Sequence, residues 1–230
     1  MFTLFPAFRY GWQKMQTFFW IFAGFTFLLS ASDILGSFKI KAFNIDELIM
    51  LDQGWKLIPG QFYAWMAVIM AIIVLINFFI VALVLGALRG DKPLAYFSSK
   101  MHLLPSYLLL MLVKYLLIAA GLLLLIVPGI LIMLGLYFAE YLLIDKEMNP
   151  FDAVKASWHL TRGFRTGIFF FEVNVFLISY LLSFPQSLWP DTVLTFVILV
   201  LVNTIWLPVA WNAAGHIYRF VSEAQSPDKS

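Results

Sequence analysis

The chain of 230 residues contains no cysteine. That excludes a disulfide framework, a thiolate nucleophile and a cysteine metal site. Charge is scarce as well: Asp, Glu, Lys and Arg make up 12% of the residues, against about 25% in a typical soluble domain. With 62% hydrophobic residues, a soluble chain of this length could not hide its apolar surface. The three histidines, His102, His159 and His216, are scattered and lack a spacing such as His-Glu-x-x-His, so no metal site is expected. There is no Gly-x-Ser-x-Gly elbow, no phosphate-binding loop and no nucleophile-base pair. The chain therefore reads as non-enzymatic, with no catalytic residue and no cofactor.

What is present is a set of long apolar runs. Residues 103–144 form a stretch of 42 in which the only charges are Lys114 and Glu140, with Pro128-Gly129 a little past the middle. One bilayer-spanning helix needs about 20 apolar residues, so this stretch holds two. Pro lacks a backbone N–H and Gly tolerates turn dihedrals, so the pair is expected to turn the chain back at the membrane surface. Apolar windows elsewhere bring the expected number to six helices, over 17–36, 62–88, 105–127, 129–144, 166–184 and 192–218. The class is all-α and polytopic, a single membrane domain over 1–220 with a short tail over 221–230. The first run resembles a signal peptide, with Arg9 and Lys14 before it and Ser30-Ala31-Ser32 after. Its apolar character continues through Leu35, which suits a retained span better.

Lys and Arg set the orientation. Arg9, Lys14, Arg89, Lys92, Lys100, Lys146, Lys155, Arg162, Arg165, Arg219 and Lys229 fall on one side, and only Lys39, Lys41 and Lys56 on the other. Both termini are thus expected in the cytoplasm. The 37–61 loop lies outside, where Asn44 and Glu47 have the spacing of a capping box.

A basic, aromatic, amphipathic segment precedes each odd-numbered span. Phe5, Phe8, Trp12 and Met15 accompany Arg9 and Lys14; Leu94, Tyr96, Phe97 and Met101 accompany Lys92 and Lys100; Phe151, Val154 and Trp158 accompany Lys155 and Arg162. Such faces suit a membrane surface, apolar side chains among the headgroups and cations on anionic lipid. For the third segment the alternative is that Trp158 packs onto the bundle. An interfacial helix followed by two spans would then occur three times, over 1–88, 89–144 and 145–218, a candidate threefold hairpin repeat.

Charged residues inside spans are costly and mark candidate sites. Lys114, Glu140, Glu172, Asn212 and His216 all fall at depths of about 7–14 Å from the cytoplasmic side. One reading is an inward-facing polar cavity in which Lys114 attracts an anionic group such as a lipid phosphate. The other readings are an ion pair of Lys114 with Glu172 or Glu140, or snorkelling to the headgroups. Asp145 and Glu147, at the membrane edge, read as ordinary surface positions.

The run Leu125-Ile126-Val127-Pro128-Gly129-Ile130, then Leu142-Leu143-Ile144-Asp145, then Ala153-Val154-Lys155-Ala156-Ser157-Trp158-His159-Leu160-Thr161 resembles the YciC-like family of bacterial inner-membrane proteins. More distantly it resembles the membrane domain of some glycerophosphodiester phosphodiesterases, whose catalytic domain this sequence lacks. The resemblance implies a six-span protein of the cytoplasmic membrane and no established activity. This sequence departs from the pattern at Glu140, where such proteins tend to have proline, and at Lys114 and Glu172, where they tend to be uncharged. The function expected is binding of membrane lipid, through anionic headgroups, or of a membrane-protein partner in envelope maintenance. The alternative is a small transporter or channel. Nucleic acid is not an expected partner.

Overall fold

A computed structural model of the chain describes residues 3–24, 26–27, 60–90, 92–188 and 193–225. Half of the expected first span, nearly all of the 37–61 loop with Asn44 and Glu47, the tip of the turn before residue 193 and the end of the tail lie outside the described residues. The described residues are helical, with no strand among them. In chain order they form α1 (Leu4–Thr17), α2 (Gly60–Arg89), α3 (Pro93–Lys100), a 3₁₀ turn (Met101–Leu103), α4 (Leu104–Leu124), α5 (Ile126–Gly135), α6 (Ala139–Lys146), α7 (Pro150–Leu160), α8 (Arg165–Leu188) and α9 (Val193–Ala224). Five helical stretches among the described residues are long and apolar enough to cross a membrane: 60–89, 93–124, 126–146, 165–184 and 197–224. They correspond to the second through sixth expected spans.

Helix ends follow local chemistry. Gly90 takes a left-handed φ of 78° after α2, and Gly163 one of 88° in the turn after α7, a conformation cheap only for glycine. At the start of α7, Asn149 accepts a hydrogen bond from the Asp152 N–H at 3.0 Å, and Pro150 opens the helix. This is the N-cap that the sequence indicates. The expected turn at Pro128-Gly129 is displaced. The chain breaks at Leu125, whose φ of −167° and ψ of 156° are extended. Pro128 lies in the first turn of α5, where a missing N–H costs nothing. Gly129 serves packing instead: a side chain there would strike Leu122, and one on Gly121 would come within 3.0 Å of the Gly129 Cα. The two glycines let the arms of the hairpin close, as small residues do between membrane helices.

Helices α2, α6 and α9 meet at the centre. In α2, Ile80 to Leu85 and Ala87 are buried without a break, the mark of a helix enclosed on every side. Leu142, Leu143 and Ile144 of α6 and Ala213, Ala214 and Ile217 of α9 belong to the same core. Each short helix packs against the span before it: α3 on α2, α7 on α6, and α1 on α9, the last span.

The docked faces take in only part of the aromatic stripes. In α1 the buried residues are Ala7, Gly11 and Met15, one turn apart, while Phe5 and Trp12 stay exposed. A side chain on Gly11 would run into the Val209 carbonyl of α9. In α3, Tyr96 and Phe97 are buried, and Leu94 and Met101 are exposed. In α7 the buried stripe is Ala153, Ser157 and Leu160; Phe151 is outside, and Trp158 is partly exposed with its ring against Gly135.

Candidate functional site

The fourth span is interrupted between α5 and α6, at residues 136–138. A break in a helix frees backbone groups that need other partners. Helix α7 satisfies them. Ser157 accepts from the Phe138 N–H at 3.2 Å and donates to the Gly135 carbonyl at 2.9 Å, and the Thr161 hydroxyl donates to the same carbonyl at 3.2 Å. Gly135 leaves room for the Trp158 ring, which lies where its side chain would be. The motif residues Ala153, Ser157, Leu160 and Thr161 are thus the ones that seat α7 on the broken span.

Lys114 of α4 and Glu140 of α6 form an ion pair at 2.5 Å, both side chains largely buried. The Tyr107 hydroxyl donates to the other Glu140 oxygen at 2.9 Å. Glu172 of α8 is held instead by the Tyr137 hydroxyl. Between the two pairings the sequence leaves open, the structure therefore selects Glu140. Asn212 is fully buried; its amide donates to the Pro208 carbonyl at 2.8 Å, and its Oδ1 has no partner among the described residues. His216 lies against the Tyr10 ring of α1, with ring centroids 4.8 Å apart. Among the described residues neither Asn212 nor His216 shares a hydrogen bond or ion pair with Lys114, Glu140 or Glu172, so the five residues do not form one network. Asn77 and Asn174 likewise bond within their own helices, to Ile73 and Phe170.

Asp145 is not the surface position that the sequence suggests. It accepts from the Arg89 guanidinium at 2.5 Å and from the Tyr218 hydroxyl at 2.9 Å, tying α2, α6 and α9 together. Nearby, Lys100 pairs with Glu147. The Lys100 ammonium, as hydrogen-bond donor and as charge, holds the Glu147 carboxyl below the usual carboxylate range. At the same end of the molecule, burial against α9 pushes the Tyr10 hydroxyl up, with Arg219 pulling the other way.

Between α4, α5 and α7 lies an open groove of about 270 Å³. Leu117, Ile132 and Leu136 line one side, and Val154 and Trp158 the other; Lys155 and His159, both exposed, complete it. The Arg165 guanidinium sits 4.0 Å from the centre of the Trp158 ring and donates to the Trp158 carbonyl at 3.3 Å. Its Nε–H is buried with no acceptor among the described residues. Among the described residues no group of His, Cys, Asp or Glu could hold a metal ion.

Comparison with known proteins adds no relative: no family model, no curated protein and no solved structure matches the chain.

Proposed function

We propose that this is a six-span protein of the bacterial cytoplasmic membrane, YciC-like, with both termini cytoplasmic. It acts without catalysis, holding membrane lipid at its charged end in envelope maintenance. The observation that carries this reading is how α1 and α7 dock. Each presents its small residues to the bundle and leaves large aromatics, Phe5 and Trp12 or Phe151, outside beside cations, while Phe8 and one face of Trp158 pack on protein. Phe5, 77% exposed, and Trp12 stand with Arg9; Phe151 and Trp158 stand with Lys155 and Arg162. Aromatic rings beside exposed cations suit the headgroup layer of an anionic leaflet. The threefold hairpin repeat belongs to the same proposal. It is supported by the packing of each short helix on the preceding span, with α1 on α9 closing the ring.

The test uses the absence of cysteine. Nitroxides placed at Phe5→Cys, Trp12→Cys and Phe151→Cys should report headgroup-level immersion that deepens with anionic lipid. Probes fully in water at all three positions would contradict the reading. The buried Lys114–Glu140 pair keeps a transporter in view as a second reading. Against it stands the enclosed stretch of α2 from Ile80 to Ala87, which fills the middle of the bundle. Substrate-dependent flux in proteoliposomes would favour the transporter.

A further inference from the structure

We infer that the groove between α4, α5 and α7 is a binding site for one anionic phospholipid, its acyl chain along Leu117, Ile132 and Leu136 and its headgroup at Lys155 and His159. The inference rests on the lipid-binding reading and assigns it a place. Size argues first. Pockets that enclose a small soluble ligand run from about 300 to 1,000 Å³. At about 270 Å³ and open on one side, this groove suits part of a chain lying lengthwise better than an enclosed solute.

The order of side chains argues next. Val154 and Trp158 lie one turn apart on α7, and so do Lys155 and His159. An apolar strip and a strip with cationic character therefore run side by side along one helix, and no carboxylate lines the groove. A phospholipid offers the complement, a hydrocarbon chain beside an anion. Arg165 adds a second cation, on the Trp158 ring, with a buried Nε–H still lacking an acceptor among the described residues. The groove is also held in shape. Ser157 and Thr161 fix α7 to the Gly135 carbonyl, so its wall does not depend on the lipid to form.

The experiment is photo-crosslinking of the unmodified protein in phosphatidylcholine vesicles that carry a phosphatidylglycerol with a diazirine in its acyl chain. The expected result is saturable adducts on Leu117 and Ile132. Unlabelled phosphatidylglycerol should compete, and phosphatidylcholine and inorganic phosphate should not. Lys155→Gln should weaken binding about fivefold, the worth of one cation at such a surface. Val154→Phe, which fills the groove, should remove those adducts and leave the adducts on exposed Leu123 and Leu181 unchanged. Adducts on Leu117 and Ile132 no denser than on Leu123, or indifferent to the headgroup of the competitor, would overturn the inference on the unmodified protein alone. Adducts on Phe151 and Trp12 without adducts in the groove would overturn it and leave the lipid-binding reading standing. Absence of adducts on Phe151 and Trp12 as well would sink both.

Discussion

The two ends of the bundle are built differently. At the end that carries α3, α7 and most of the charged side chains, α2 is buried from Ile80 to Ala87, Asp145 joins three helices, and Ser157 closes a broken span. At the other end, the hairpin tip from Leu122 to Val127 is exposed throughout, Leu123 by 88%, as are Met66, Val68 and Met70 of α2. In water the second end would be a defect. In a membrane it is not, because lipid tails solvate leucine as well as another helix does. Apolar surface therefore cannot say where helices meet. Close approach and polar ties can, and both are concentrated at the charged end.

The largest expected effect is at the buried ion pair. Lys114→Met leaves Glu140 without its cation and should cost about 3–5 kcal/mol. Adding Glu140→Gln should recover much of the loss, and adding Glu172→Gln should not. Unfolding of the three variants and the parent protein in mixed micelles checks this. Equal recovery by both glutamines would move the pair to a shared site and blunt the contrast between the ends.

Ser157→Ala comes next. It strands the Phe138 N–H and should cost about 1–3 kcal/mol, measured in the same way. Ser157→Thr should retain most of the stability if the hydroxyl matters more than the volume. Indifference to Ser157→Ala would mean that the broken span does not depend on α7.

A smaller effect follows from Lys100 and Glu147. A carboxyl whose folded pKa is depressed adds stability above its unfolded pKa and loses it as pH falls through the folded value. Stability should thus drop on acidification below the ordinary carboxylate range, and Glu147→Gln should flatten that part of the profile. Because Glu147 is exposed, the drop should be small and should shrink with added salt. At the lipid-facing end Leu123→Ala should change stability least, within about 0.5 kcal/mol. A loss near that of Ser157→Ala would mean that the tip packs against protein.

These contrasts also explain how far the sequence could be read. The spans from α2 onward, the Asn149 cap and the candidates for pairing with Lys114 were legible, because length, capping chemistry and the cost of buried charge are local properties. Which glutamate Lys114 meets was not legible, since depth along a helix does not say which helices touch. The stripes of α1 and α7 leave Phe5, Trp12, Phe151 and Trp158 exposed, as a face toward the membrane surface would, but they do not show which residues dock. Phe5 and Trp12, or Phe151 and Trp158, form the apolar face that would seek a core in water, but lipid serves them equally well. The docking residues are the small ones, Ala7 and Gly11 or Ala153 and Ser157, which no hydrophobic pattern picks out. Asp145 was passed over because its partners lie 56 and 73 residues away along the chain.

The most direct test is a footprint of the unmodified protein in membranes with a small lipid-soluble carbene reagent, read residue by residue along α2. The account predicts strong labelling at Met66, Val68 and Met70 and none from Ile80 to Ala87 on any face. Labelling that continues along one face of the helix through Ile80 to Ala87 would contradict it, because α2 would then be a peripheral span and not the centre on which α6 and α9 pack.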